Sequence, residues 1–481
     1  MSRSYDLLLR NATVIDGTRA PRFQADVGIE GDRIAEIGSL SSSKAKKEID
    51  AKGKIVSPGF IDAHTHDDRL MLSAPDMAPK VSQGVTTVIA GNCGVSLAPL
   101  DLRGREVPSP LDLMGDAEWF RFPSFSSYVK DLKRTPATTN CALLVGHTSL
   151  RVATMNSLDR SASPGEISKM KSLVDEALEA GAIGVSTGLY YEPARAAQTE
   201  EVIEVCRPLS ARKALYCTHM RDEADNVIQS LEETFRIGRE LGVPVVVSHH
   251  KVVGTPNHGR SKETLPLIAE RMKSQPIGLD CYPYCASSTI LTVDRAVHAT
   301  KTLVTWSKPH PEFAGKELSL VAKTMGVTET EAANRLRPAG AIYFTMDEAD
   351  VQRVLAFENT MIGSDGLPHD TAPHPRLLGT FPRVLGHYAR GLGLFPLETA
   401  VYKMTGLPAK TFGLAGRGVL KEGACADLCV FDAGSVDEAA TFAKPIQNAR
   451  GIEAVVVNGK LVWKDGKPTG ARPGCVLKRT P

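Results

Sequence analysis

The sequence predicts an eight-stranded parallel (β/α)8 TIM-like barrel carrying a small β-sandwich domain made from both chain ends. Between residues 58 and 415, eight apolar strand-like runs alternate with helical patterns, and eight is the number that closes such a barrel. Residues 1–57 and 416–481 have a different texture, short β-type runs separated by Gly and Asp turns. The polar residues that interrupt the barrel runs gather at their C-terminal ends, the face where barrels carry chemistry.

In order, the N-terminal end segment reads DLLLRNATVIDG, DVGIEGDRIAEIG and KGKIVSPG. The barrel runs are IVSPGFIDAHTH, VTTVIAGNCG, CALLVGHTSL, AIGVSTGLYY, LYCTHMRD, VPVVVSHHK, IGLDCYPY and NTMIGSDG. A helix is legible in SPGEISKMKSLVDEALEAG: Ser163 as N-cap, Pro164 in the first turn, Glu166 three residues after the cap and Gly181 past the end. The stretch from about 286 to 340 is too long for one strand-to-helix connection and holds its own helical piece, EFAGKELSLVAKTMG, so it is an insertion after strand seven. Such insertions often cover the mouth of a barrel. GVLKEGACADLCVFDAG and EAVVVNGKLVWKDG return the chain to the end domain.

Lys plus Arg number 57 against 55 Asp plus Glu, a balance that supplies no electrostatic case for nucleic acid or an anionic membrane and favours a small-molecule partner. No apolar stretch reaches signal-peptide or transmembrane length, so a cytoplasmic location is expected. Nine scattered cysteines point to reduced thiols, and the Cys281/Cys285 and Cys425/Cys429 spacings lack the matched pair of a zinc knuckle. The sequence sets no oligomeric state.

The strand ends carry His64 and His66 (one), Cys93 (two), His219 (five), His249 (six) and Asp365 (eight). Imidazole and thiolate donors select Zn²⁺ over Mg²⁺ or Ca²⁺. Alternation along a strand puts His64 and His66 on one side. It puts His249 with Lys251 and leaves His250 opposite, groups Cys217, His219 and Arg221, and groups Asp280, Tyr282 and Tyr284. Taken singly, Cys93 could be a small buried hydrophobe and Asp365 a turn residue, whereas His147 fits a core or supporting histidine better than a ligand. Together the six suit hydrolysis: zinc lowers the pKa of bound water from about 15.7 to near 7, and Asp365 can move the proton as general base and then acid. Lys251, Tyr282, Ser288 and Arg376 are candidates to hold an anionic substrate.

The paired ends, GFIDAHTH, the eight runs and GSDGLPHDTAPHPRLLG resemble the amidohydrolase superfamily. SQGVTTVIAGNCGVSLAPL, STGLYY, THMRDEAD, VVSHHK, CYPYCASSTIL, PAGAIYFTMDE and TFPRVLGHYARGLGLFPLETAVYKMTG look like the D-aminoacylases, or N-acyl-D-amino-acid deacylases, over nearly the whole chain. The resemblance implies a zinc enzyme that hydrolyses the N-acyl amide of an N-acyl-D-amino acid. It implies one firmly held zinc on Cys93, His219 and His249, and a second, weaker site at His64, His66 and Asp365 with the cysteine able to bridge. It implies that Lys251, Tyr282 and Arg376, with Ser288 nearby, hold the α-carboxylate. Many superfamily relatives instead bridge two metals with a carboxylated lysine on strand four. Here Ser186 and Thr187 stand in that strand, which argues against the alternative of a dihydroorotase- or hydantoinase-type cyclic-amide hydrolase. A scaffold without activity would be expected to have lost ligands, and all six are present. His258 stands where the family commonly has an aromatic. Arg295 could meet an acidic side chain, as in an N-acyl-D-glutamate-selective deacylase, or be neutralised by Asp294, and apolar D-residues fit the sequence equally well.

Overall fold

The computed structural model describes residues 4–480, so the outermost residues of the two end segments, 1–3 and 481, lie outside the described residues. The eight barrel strands are Phe60–Asp62, Val85–Ala90, Asn140–Gly146, Gly184–Gly188, Leu215–His219, Val245–Val247, Ile277–Cys281 and Thr360–Ile362, numbered one to eight below. They pair in that order, all in parallel. The seam between strands eight and one is closed just beyond their ends, where the Ala63 N–H donates to Ile362 O (3.1 Å) and the Asp365 N–H donates to His64 O (2.9 Å).

Period-two alternation sorts the strand residues. Ile61 and Ala63, Ala142 and Leu144, and Leu215 and Cys217 pack together inside the barrel, whose lower end is filled by Leu407 and Phe412 of helix Gly406–Phe412. Their neighbours Leu143, Val145, Tyr216, Val245 and Val247 face outward into the layer shared with the surrounding helices. Helix Pro164–Ala180 carries the full capping box between Ser163 and Glu166 and ends at Gly181 with φ +114°.

Both chain ends meet in one nine-stranded mixed sheet, with Ile55–Pro58 pairing to Ser4–Val14 on one side and to Leu428–Phe431 on the other. The run IVSPGFIDAHTH is therefore divided: Ile55–Pro58 belongs to this sheet, and only Phe60–Asp62 begins the barrel. Gly59 makes the handover, because any side chain there would strike Thr86 of strand two. The last stretch leaves the end domain, since the Leu477 N–H donates to Cys141 O and the Thr480 N–H to Gly413 O, on the lower face of the barrel.

The strand-seven insertion has its own three-stranded antiparallel sheet, Ala286–Ile290, Lys301–Ser307 and Ala339–Phe344, with helices Leu318–Met325 and Glu329–Leu336. It runs to Phe344, a few residues beyond the sequence expectation, because its closing strand pairs with both of the others. No helix among the described residues is long and apolar enough to cross a membrane.

Candidate metal centre and active site

Cys93, His249 and Asp365 lie just past their strands with φ of +54°, +37° and +48°, a backbone region that non-glycine residues seldom occupy. Such strain persists where surrounding structure dictates it, and here it turns three polar side chains over the barrel mouth. The Cys93 loop is held from both sides. Gly91 has φ +82°, with the space for a side chain taken by Leu144 O, and the carbonyl of Cys93 sits where a side chain on Gly188 would be. Ser186 of strand four bonds to Gly91 O and to the Gly94 N–H, the residues bracketing Cys93. Strand four thus offers no candidate donor and props the loop that carries one.

The six expected donors fall into two buried groups that share Cys93: His64, His66, Cys93 and Asp365, and Cys93, His219 and His249, with donor atoms within 4.8 Å of one another in each. Cys93 Sγ stands 3.3 Å from both His64 Nε2 and His249 Nε2, and His249 Nε2 lies 2.9 Å from His219 Nδ1. Asp365 Oδ1 is 3.2 Å from His66 Nε2 and 3.5 Å from His64 Nε2. Two clusters of imidazole, thiolate and carboxylate around one sulfur fit zinc by donor type and number. The electrostatics agree. Burial raises the Cys93 thiol, but His64, His249 and His219 pull it well below its usual value. Burial also opposes ionisation of Asp365, which Arg376 and then His64 and His66 hold well below the usual carboxylate range.

Behind the candidate ligands stands Glu223, which sequence reasoning missed. Oε1 lies 3.1 Å from His249 Nδ1 and 2.7 Å from Lys251 Nζ, and Oε2 is 3.8 Å from His219 Nε2. Burial disfavours its charge, yet Lys251, His219 and His249 hold it well below the usual range. Asp280, also missed as a site residue, accepts from the His249 N–H (3.0 Å) and stands 3.4 Å from His64 Nδ1. Carboxylates placed this way fix the tautomer and orientation of metal-binding imidazoles. The sequence signal for Glu223 was its position just beyond a strand end, and for Asp280 its place at a strand end on the face of Tyr282.

The pocket over the cluster has about 500 Å³ of empty space and is lined by His66, Cys93, His219, His249 and Asp365 together with Lys251, Tyr282, Ser288 and Arg295. Tyr191, Ser287, Thr289 and Glu223 add to its polar wall, while Val95, Pro110, Leu113, Met114 and Leu367 make an apolar one. Arg376, expected at the rim, is fully buried against Tyr282 and Ser288, two residues of this wall. Nη2 donates to Ser288 O (3.0 Å) and forms an ion pair with Asp365 Oδ2 (3.0 Å), and the guanidinium stacks 4.5 Å from the Tyr282 ring. Its Nε and Nη1, the Tyr282 hydroxyl and the Ser288 hydroxyl are buried without protein partners. Lys251 spends its three donors on Glu223, His249 Nδ1 (2.8 Å) and His249 O (3.1 Å). Arg295 stacks on Tyr190 at 4.1 Å and donates to its hydroxyl, while Asp294 points to solvent beside His298 and does not neutralise it.

Other expectations separate. His250 turns away to Thr264 Oγ1, as alternation requires. Arg221 does not join Cys217 and His219: strand five ends at His219, and the guanidinium swings out to Glu233 and the carbonyls of Arg195 and Ala197. Tyr284 stays in one buried cluster with Tyr282 and Met346, while its hydroxyl reaches Glu438 and its ring meets His374. His147 is buried 3.5 Å from Glu201, off the pocket. His258 is held by Thr345 O and does not line the pocket. All nine cysteines are free.

A closed β/α barrel with a cysteine-centred His/Asp cluster at its strand ends defines an amidohydrolase, and the profile of the Amidohydrolase family matches residues 47–279 and 345–463, leaving out the strand-seven insertion. The chain belongs to that family and, within it, to the D-aminoacylases. It is 57% identical over 479 residues to a D-aminoacylase of Alcaligenes xylosoxydans xylosoxydans, covering 100% of this chain and 99% of the relative. An N-acyl-D-aspartate deacylase of the same organism is 52% identical (98% and 95% covered), and its N-acyl-D-glutamate deacylase is 46% identical (100% and 98%). A D-aminoacylase crystal structure superposes with a TM-score of 0.97 at 58% identity, covering 99% of this chain and 100% of that one. Another at the same similarity is described as having a binuclear metal centre, with one-metal activation and second-metal attenuation. The N-acyl-D-glutamate deacylase of Bordetella bronchiseptica, in complex with zinc and a phosphonate inhibitor, matches with a TM-score of 0.96 at 45% identity (99% and 100% covered). A dihydropyrimidinase of Brevibacillus agri shares the fold alone, at 16% identity and a TM-score of 0.60.

Proposed function

We propose that this chain hydrolyses the N-acyl amide of N-acyl-D-amino acids, giving a carboxylate and the free D-amino acid, in a zinc-dependent reaction. The observation that carries this reading is the juxtaposition of the Cys93-centred cluster with buried cationic and hydroxyl groups that lack partners: Arg376 Nε and Nη1 and the hydroxyls of Tyr282 and Ser288. Native proteins rarely leave buried polar atoms unpaired, and a bound carboxylate supplies the missing acceptors.

Cys93, His219 and His249 would hold the firmly bound zinc; His64, His66 and Asp365 would hold a weaker second ion, with Cys93 between them. Zinc supplies a Lewis acid and lowers the pKa of its water toward 7. Asp365 takes the proton of the attacking water and delivers it to the leaving amine, its carboxylate kept ionised and aimed by Arg376. Arg376, the Tyr282 hydroxyl and Ser288 hold the α-carboxylate and so fix the substrate's direction. Glu223 accepts from His249 Nδ1 when Nε2 serves as a ligand. In that tautomer Nδ1 carries the proton and ceases to accept from Lys251, which frees one lysine donor for the substrate carboxylate.

Arg295 favours a second reading at the level of side-chain preference. It faces the pocket with a tyrosine, not a carboxylate, beside it, which suits an acidic D-residue such as glutamate. The test is a panel of N-acetyl-D- and L-amino acids assayed with metal analysis of the same preparation. Turnover confined to D-substrates with zinc present supports the proposal, and N-acetyl-D-glutamate outrunning N-acetyl-D-methionine supports the second reading. A zinc-loaded preparation idle on every D-substrate overturns both.

A further inference from the structure

Outside the barrel, at the seam where strand one closes on strand eight, a lysine sits with no solvent exposure. Lys80 belongs to the short helix Ala78–Val81, and its ammonium makes three contacts: Asp62 Oδ2 at 2.9 Å, Ser364 Oγ at 2.9 Å and Asp67 Oδ2 at 3.3 Å. Each acceptor flanks a donor of the His64/His66/Asp365 group without belonging to it. Asp62 and Asp67 bracket the His-x-His segment, and Ser364 precedes Asp365. The carboxylate of Asp62 completes the tie, since Oδ1 accepts from the Ser364 N–H at 2.7 Å and the His64 N–H at 3.4 Å. Ser364 Oγ in turn accepts from the Gly366 N–H.

The seam needs such a tie. Strands one and eight each have only three residues, so few ladder bonds join them. Their donors come from different ends of the sequence, about 300 residues apart, and a shift of the seam moves His64 and His66 away from Asp365. Burying one ammonium with two carboxylates is costly, and such a group is worth retaining where it fixes a geometry. Cys93, His219 and His249 lie on strands two, five and six, and Lys80 touches none of these strands in its polar contacts.

We propose that Lys80 is a positioning residue that clips strand one to strand eight and thereby sets the second metal half-site and the aim of Asp365, leaving the Cys93/His219/His249 half-site independent of it. The inference rests on the proposed zinc chemistry.

The test is titration of the metal-free protein with Co²⁺ and Zn²⁺, for the parent, Lys80→Met and Ser364→Ala. The first equivalent is read by its thiolate-to-cobalt absorption band, the second by calorimetry, with circular dichroism for the fold. Ser364→Ala removes one arm of the clip, keeps the buried charges paired and stands in if Lys80→Met does not fold. Expected is a first equivalent bound as in the parent with its band unchanged, a second equivalent weakened about tenfold or more, and a fall in kcat with KM little changed. Folded variants in which both equivalents bind as in the parent, or both weaken equally, overturn the proposal. A parent that binds no metal refutes the zinc reading itself and is distinguishable from either outcome.

Discussion

Arg376→Ala tests the substrate anchor most directly. The guanidinium is fully buried, uses Nη2 on Asp365 and Ser288, and leaves Nε and Nη1 unpaired beside Tyr282. If those two nitrogens grip the α-carboxylate, two charge-assisted bonds are lost, each on the order of 1.5–3 kcal/mol. Together they amount to about 3–6 kcal/mol, or roughly 10²- to 10⁴-fold in kcat/KM. The variant also loses the Nη2 contact that aims Asp365, which slows every substrate alike. The informative quantity is therefore a ratio: kcat/KM for N-acetyl-D-methionine over that for its carboxamide, in parent and variant. The parent should prefer the acid by about 10²- to 10⁴-fold, and the variant by less than about tenfold, since only the acid carries the charge that Arg376 recognises. A variant that folds, keeps its zinc and discriminates between acid and amide as the parent does would refute the anchor assignment.

Asp365→Asn should retain zinc on Cys93, His219 and His249 but lose about 10²- to 10⁴-fold in kcat, because an amide cannot shuttle the proton. Parent-level turnover in a zinc-loaded, folded preparation counts against that role. Glu223→Gln removes the charge behind His219 and His249 while keeping the side-chain shape. Zinc affinity measured by chelator competition should drop roughly 10- to 100-fold, and an unchanged affinity would leave Glu223 as a partner of Lys251 alone.

The elements legible in the sequence are those that short-range rules govern. Strand alternation separated His249 from His250, and the capping box at Ser163 and Glu166 formed as written. Beyond the strand ends the same rule held for His249 and His250 and failed for Arg221. Arg221 leaves the group that parity predicts because strand five stops at His219, after which the backbone owes nothing to a period of two. Glu223 and Lys80 gave no periodic signal, and alternation put Asp280 with Tyr282 without revealing that it meets His249 and His64.

By itself, then, the sequence determined the class of chemistry. Six candidate metal-binding side chains at the ends of five among eight apolar runs name both a barrel and a hydrolytic centre, because the barrel brings those ends to one face. Only the tertiary structure decided how the donors divide. It placed one sulfur 3.3 Å from an imidazole of each group, through a loop forced to positive φ and braced by strand four. It also buried Arg376 against Tyr282 and engaged the donors of Lys251 with Glu223 and His249. The physical reason is that a residue's type and period are local properties. Which buried charge meets which is set by packing between segments hundreds of residues apart, where desolvation makes every unpaired group costly.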